Sequence, residues 1–127
     1  KLGFPIITDV SLEFSKAYEM LPQEDISSEK RTALDKATVR VVYIVGPDKK
    51  VKAALSYPMS SGRNFDEIKR LLDSCQMTAK HMLATPANWK KGEDVIITPA
   101  VSDADAKKIF GNWNSPKPYL RYVKDPS

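Results

Sequence analysis

Cysteine and histidine occur once each in 127 residues, as Cys75 and His81. A single cysteine cannot build an internal disulfide framework, and it points to a reducing, cytoplasmic setting. With no second cysteine or histidine a zinc site has no ligand set, so no metal is expected, and no other cofactor. No apolar run is long enough to cross a bilayer, and Lys1 leads into short strand-like sequence without a secretory leader, so no membrane insertion is expected. Charge of one sign is never concentrated. The twenty Lys and Arg are spread among sixteen Asp and Glu, giving a net +4 without a basic block interleaved with aromatics, so nucleic acid is not an expected partner. Glycine is scarce too, and "GPDKK" lacks the spacing of a phosphate-cradling loop. The opening "KLGFPIITD", without an initiator Met, reads as the middle of a longer protein. What remains is an ordinary globular composition, 42% hydrophobic and 28% charged, with no internal repeat or low-complexity segment.

Along the chain, "FPIITD" (residues 4–9) predicts a short buried strand. In "SLEFSKAYEML" Ser11 is placed to cap a helix whose Phe14, Ala17, Tyr18 and Leu21 share a face, with Pro22 as its stop. Residues 22–37 are polar and of mixed charge and predict a long surface loop, with at most a weak helical turn around Leu34. "VRVVYIVGPDKKVKAALSYP" predicts a β-hairpin turning at Pro47 and Asp48. Both faces of its first strand are apolar, so the strand should be covered on both sides. "NFDEIKRLLDSCQMTAKHML" predicts the clearest helix. Asn64 and Glu67 fit a capping box, and Phe65, Ile68, Leu72, Cys75, Ala79 and Met82 form one apolar stripe. A Pro- and Gly-marked connector (84–94) leads to a strand "VIITPA", a short helix capped by Ser102 and Asp105 and ended by Gly111, and a final strand "YLRYV". This tail is too small to be stable alone.

One residue breaks the pattern. Arg40 stands at the start of an otherwise apolar strand, and an unpaired guanidinium is costly to bury. It therefore needs an anionic partner, either a structural carboxylate or the oxygens of a bound anion. Arg63, after Gly62 and just before the long helix, favours the second reading, because a helix N-terminus already attracts negative charge and two arginines there could polarise an oxygen-rich substrate or stabilise a thiolate. Cys75 falls mid-helix on the apolar stripe with no cation near it in sequence, which reads as structural. His81 reads as a surface or capping residue at the helix C-terminus. Asp48 reads as a turn residue, and Trp89 and Trp113 as core or interface cover.

The stretches "FPIITD", "RVVYIVGPDKKVKAALSYP", "YPMSSGRNFDEI", "ATPANWKKGED" and "YLRYV" resemble, in order and over nearly the whole chain, the C-terminal part of the 1-Cys peroxiredoxins, the peroxiredoxin-6-like class. The resemblance implies an α/β chain: the C-terminal part of a thioredoxin-like fold (1–85) followed by a small α+β dimerisation domain (86–127). It implies a thiol peroxidase acting on hydrogen peroxide and organic hydroperoxides, with an external thiol as reductant and a homodimer as the assembly. The family's peroxidatic cysteine lies in a Pro-x-x-x-Thr-x-x-Cys motif that this sequence does not contain, and Cys75 lacks its Pro and Thr. The chain alone should then be inactive. The family's active-site arginine maps to Arg40 and its supporting Gly-Arg-Asn arginine to Arg63. Some members carry a phospholipase activity through a Ser-His-Asp set, of which only the Asp maps here, onto Asp48. "TVR" departs from the usual Thr-Ala-Arg, and the loop 111–118 looks short. A non-enzymatic dimerisation module, joined through exposed apolar area around "DVIITPA" and "YLRYV", is the alternative.

Overall fold

The computed structural model describes residues 3–21 and 38–127. The predicted loop 22–37, with its Pro22 stop and the turn around Leu34, lies outside the described residues. The chain divides into two compact units, Lys1–Arg63 and Asn64–Ser127.

In the first unit, "FPIITD" forms no strand: Phe4, Ile6 and Ile7 are exposed and pair with no strand among the described residues. An apolar run makes a strand only where a neighbour supplies ladder partners. The helix that follows is short, α1 (Glu13–Ala17), and Ser11 does not cap it. Leu12 at its start is left-handed, with φ 59°, and the capping oxygens come from Asp9. Its carboxylate accepts the backbone N–H of Phe14 (3.1 Å) and of Ser15 (2.8 Å) and the Ser15 hydroxyl (2.7 Å). These bonds, the Ser15 hydroxyl foremost, hold the Asp9 carboxyl below its ordinary range. A carboxylate with a lowered folded pKa stabilises at pH above its unfolded value, and the contribution goes as pH falls through the lower folded value. The amide resonances of Phe14 and Ser15 should therefore shift together on acidification below about pH 4, and Asp9→Asn should flatten that titration.

The hairpin forms as predicted. β1 (Arg40–Val45) pairs antiparallel with β2 (Val51–Tyr57), Arg40 opposite Tyr57 and Tyr43 opposite Ala54. At the turn Lys49 donates to the Gly46 carbonyl, Lys49 itself sits at φ 61°, and the register shifts after Ile44. This is the type I turn plus left-handed residue that closes longer hairpins. Asp48 accepts from the Lys50 N–H (3.3 Å) and pairs with Lys52 (2.7 Å), and Lys52 chiefly lowers its carboxyl pKa. The hairpin is not covered on both sides as its apolar faces predict: β1 is half-buried, and Val45 and Val51 are exposed. Tyr43 rests on Tyr18, ring centres 5.4 Å apart, and its hydroxyl donates to the Tyr18 carbonyl.

The second unit begins with α2 (Phe65–Lys80), where the Asn64 side chain accepts the Glu67 N–H at 3.2 Å, half of the predicted capping box. The Glu67 carboxylate turns instead to Arg70. After it come β3 (Leu83–Ala84), β4 (Val95–Ile97), α3 (Asp103–Phe110), β5 (Asn114–Lys117) and β6 (Leu120–Val123). The four strands form one antiparallel sheet in the order β3-β4-β6-β5. Ser102 caps α3 and Gly111, at φ 75°, ends it, as predicted. β5 was not foreseen; "NSPK" is wholly exposed and carries a proline, as an edge strand can. The core joins Met77 and Leu83 to Trp89, Val95, Ile97, Val101, Ala106 and Val123, flanked by Phe110 and Trp113. The tail therefore gains stability by sharing a core with α2 and β3. Its apolar side chains are spent inward: Val95, Ile97 and Val123 are buried, so the exposed patch expected around "DVIITPA" and "YLRYV" reduces chiefly to Tyr119. The apolar stripe of α2 also corrects the expectation. The buried residues of the helix are Ser74 and Met77, on the other side, with the Ser74 hydroxyl bonded to that of Thr85 at 2.7 Å. Phe65, Leu72 and Met82 are exposed, and Met82 lies beyond the helix end. The chain is thus of the α/β class, with helices and antiparallel sheets.

Candidate functional site

β1 and the segment after β2 meet at Arg40. Its Nη1 donates to the Ser61 carbonyl at 2.7 Å, and the Ser61 N–H donates to the Pro58 carbonyl at 2.9 Å, so the guanidinium clasps the turn at the end of the hairpin. Arg40 is half-buried, and among the described residues no carboxylate pairs with it. A carbonyl neutralises no charge, so among the described residues the Arg40 guanidinium keeps its charge uncompensated. Arg63 follows two residues after the clasped carbonyl, exposed, at the end of the same unit. The two predicted site arginines are therefore linked through one short turn. Such a pair can bind and polarise an anionic oxygen or lower the pKa of a thiol brought against it.

Cys75 is a free thiol, half-buried on α2. Its position mid-helix offers it no N-terminal dipole. His81 is the C-terminal cap residue of α2, its N–H bonded to the Met77 carbonyl. It lines a cavity of about 50 Å³ with Asp73, Lys80, Trp89, Lys91 and Ser127, room for about a single water. Trp89 is a core residue, 1% exposed, with its indole N–H on the Glu93 carbonyl.

Arg121 in "YLRYV" is the charged side chain most enclosed in the second unit, 8% exposed. It donates to Asp103 (2.5 Å) and to the Thr98 (2.9 Å) and Val101 (2.8 Å) carbonyls, and lies 6.0 Å from the Trp113 ring centre. Arg121, like Arg40, is a cation alternating with apolar residues in a strand. Here it ends in a structural carboxylate and two carbonyls rather than an open site.

Comparison with known proteins bears on these positions. A family model for the C-terminal domain of 1-Cys peroxiredoxin matches residues 74–112. Peroxiredoxin-6 of Gallus gallus is 42% identical over 99% of this chain and 57% of its own length. The 1-Cys peroxiredoxin of Dirofilaria immitis is 42% identical over 99% of this chain and 54% of its own. A solved yeast mitochondrial 1-Cys peroxiredoxin superposes with a TM-score of 0.78 at 39% identity, over 98% of this chain and 57% of that one. A cysteine-to-serine variant of peroxiredoxin 6 from Arenicola marina does so with a TM-score of 0.77 at 39% identity, over all of this chain and 58% of that one. The chain thus spans a little over half the length of these relatives. Matching them almost from end to end in both sequence and backbone, it belongs to the 1-Cys peroxiredoxin family, of which it is a C-terminal portion.

Proposed function

We propose that this chain carries the arginine half of a thiol peroxidase active site and that the peroxidatic thiolate is brought by a segment outside it. In the parent protein the thiolate attacks one oxygen of hydrogen peroxide or an organic hydroperoxide. An S–O bond forms, the O–O bond breaks, and the departing hydroxide or alkoxide takes a proton to leave as water or alcohol. The resulting sulfenic acid condenses with an external thiol, releasing water, and a second thiol reduces the mixed disulfide. Arg40 and Arg63 lower the thiol pKa and hold the peroxide oxygens as charge develops on the departing one. The observation that supports this most is the Arg40–Ser61 clasp, which ties a guanidinium without a carboxylate partner among the described residues to the turn leading to Arg63. The yeast relative is described as resolved through the glutathione and thioredoxin systems, which suits a small or protein thiol as reductant here. On this reading residues 1–85 complete a thioredoxin-like domain, 86–127 form the C-terminal domain, and the parent works as a cytoplasmic homodimer in antioxidant defence.

Two outcomes follow. The purified 127-residue chain should consume no hydroperoxide with dithiothreitol, and turnover lost on Cys75→Ser would overturn the reading. In the full-length parent, Arg40→Gln should lower the second-order rate with peroxide about 10²–10³-fold and raise the pH at which the thiol reacts, whereas a merely structural arginine would change neither in a folded enzyme. A phospholipase role would need Asp48, whose carboxylate is engaged by Lys52.

A further inference from the structure

The two tyrosines of the hairpin use their hydroxyls differently. Tyr43, on β1, donates to the Tyr18 carbonyl. Tyr57, the last residue of β2, is half-buried, and its hydroxyl donates no hydrogen bond among the described residues. Tyr57 is also the direct antiparallel partner of Arg40. Residues opposite each other in such a ladder project to the same face, with Cβ atoms about 5 Å apart. Tyr43, an odd number of residues along β1 from Arg40, projects to the other face. The Arg40 guanidinium is held at 2.7 Å by the Ser61 carbonyl, in the turn that follows Tyr57. Phenol and guanidinium therefore share one face at one end of the hairpin.

The peroxidase chemistry has a need that the arginines cannot meet. The departing oxygen takes a proton, and a guanidinium supplies charge and hydrogen bonds but does not give up its proton. Ser60 and Ser61, in the following turn, carry aliphatic hydroxyls no more acidic than the leaving group. Asp48 lies at the opposite end of the hairpin, engaged by Lys52. A phenol is a stronger acid than water or an alcohol, so its proton passes downhill to a hydroxide or alkoxide. Resting on the peroxidase reading, we propose that Tyr57 is the general acid of the site and that its hydroxyl protonates the oxygen leaving the peroxide. The thiolate sulfur bonds to one peroxide oxygen, which keeps its own hydrogen and becomes the sulfenic acid. The O–O electron pair goes to the other oxygen, which takes the Tyr57 proton and leaves as water or alcohol. The tyrosinate stands beside the Arg40 charge, which stabilises it until solvent returns the proton.

The test uses the full-length parent and three substrates, hydrogen peroxide, tert-butyl hydroperoxide and peracetic acid. Peracetic acid releases acetate, a weak base that departs without a proton. Tyr57→Phe removes only the hydroxyl. It should lower the second-order rate about 10²-fold with hydrogen peroxide and tert-butyl hydroperoxide and leave the rate with peracetic acid nearly unchanged. The pH dependence of thiol alkylation should stay where it is, because Arg40 remains. Tyr43→Phe should leave all three rates unchanged, while Arg40→Gln should lower all three and move the alkylation profile. If Arg40→Gln does so and Tyr57→Phe lowers no rate, or lowers all three alike, Tyr57 is not the acid and the arginine site stands. A shifted alkylation profile in Tyr57→Phe also overturns the proposal, by placing the hydroxyl on the thiol. If neither substitution lowers any rate, the arginine reading fails and Tyr57 falls with it.

Discussion

Arg121→Met is expected to destabilise the Asn64–Ser127 unit by about 3 kcal/mol. Methionine keeps much of the apolar volume, so the loss reports bonds rather than a cavity. The guanidinium bonds the carbonyls of Thr98 and Val101, which lead from β4 into α3; without it the Val101 oxygen loses its partner in the unit's interior, and the Thr98 oxygen keeps only the Val101 N–H. Its third partner, Asp103, is largely exposed, so the ion pair itself is worth little. Asp103→Ala should therefore cost less than about 1 kcal/mol. Urea unfolding followed by tryptophan fluorescence separates the two, because both tryptophans, Trp89 and Trp113, lie in this unit. Equal losses in the two variants would mean that the carboxylate, and not the pair of carbonyls, is what Arg121 serves.

Trp89→Ala should have a larger effect, about 3–5 kcal/mol. The indole is 1% exposed and sits in a core built largely from short strands and a loop, which cannot easily collapse onto the space left behind. A loss of that size approaches the whole stability of a small domain. The variant should lose the cooperative unfolding transition reported by Trp113 at ambient temperature. Trp89→Phe should keep most of the packing and forfeit chiefly the bond from the indole N–H to the Glu93 carbonyl, roughly 1 kcal/mol. A Trp89→Ala chain that still unfolds cooperatively near the native midpoint would mean that the core rests on Val95, Ile97 and Val123 without the ring.

Both residues show what was readable in the amino-acid order and what was not. Trp89 reads as cover for a core or an interface, and it lies in a core, yet nothing local names Met77 and Val123 as its companions. Arg121 carried the same signal as Arg40, a cation inside an apolar strand. The two differ in what the fold brings to them: a carboxylate and two carbonyls in one case and, among the described residues, a turn carbonyl in the other. The helix at Glu13–Ala17 makes the same point in miniature. The local sequence puts a capping oxygen at Ser11, but Asp9 bonds the first-turn N–H groups instead, beside a left-handed Leu12.

The amino-acid order by itself determined the start of α2 at Asn64, both ends of α3 at Ser102 and Gly111, the hairpin turn at Pro47 and Asp48, and membership of the family through motifs strung along the chain. Each of these is a bond or a match made within a few residues, so it needs no knowledge of distant segments. Tertiary structure alone decided that α2 buries Ser74 and Met77 rather than Leu72, that "FPIITD" stays exposed, and that Arg121 closes a structural knot with a carboxylate while Arg40 clasps a turn carbonyl. Periodicity states that a face is apolar, but burial requires a neighbour, and which neighbour arrives is a property of the whole chain.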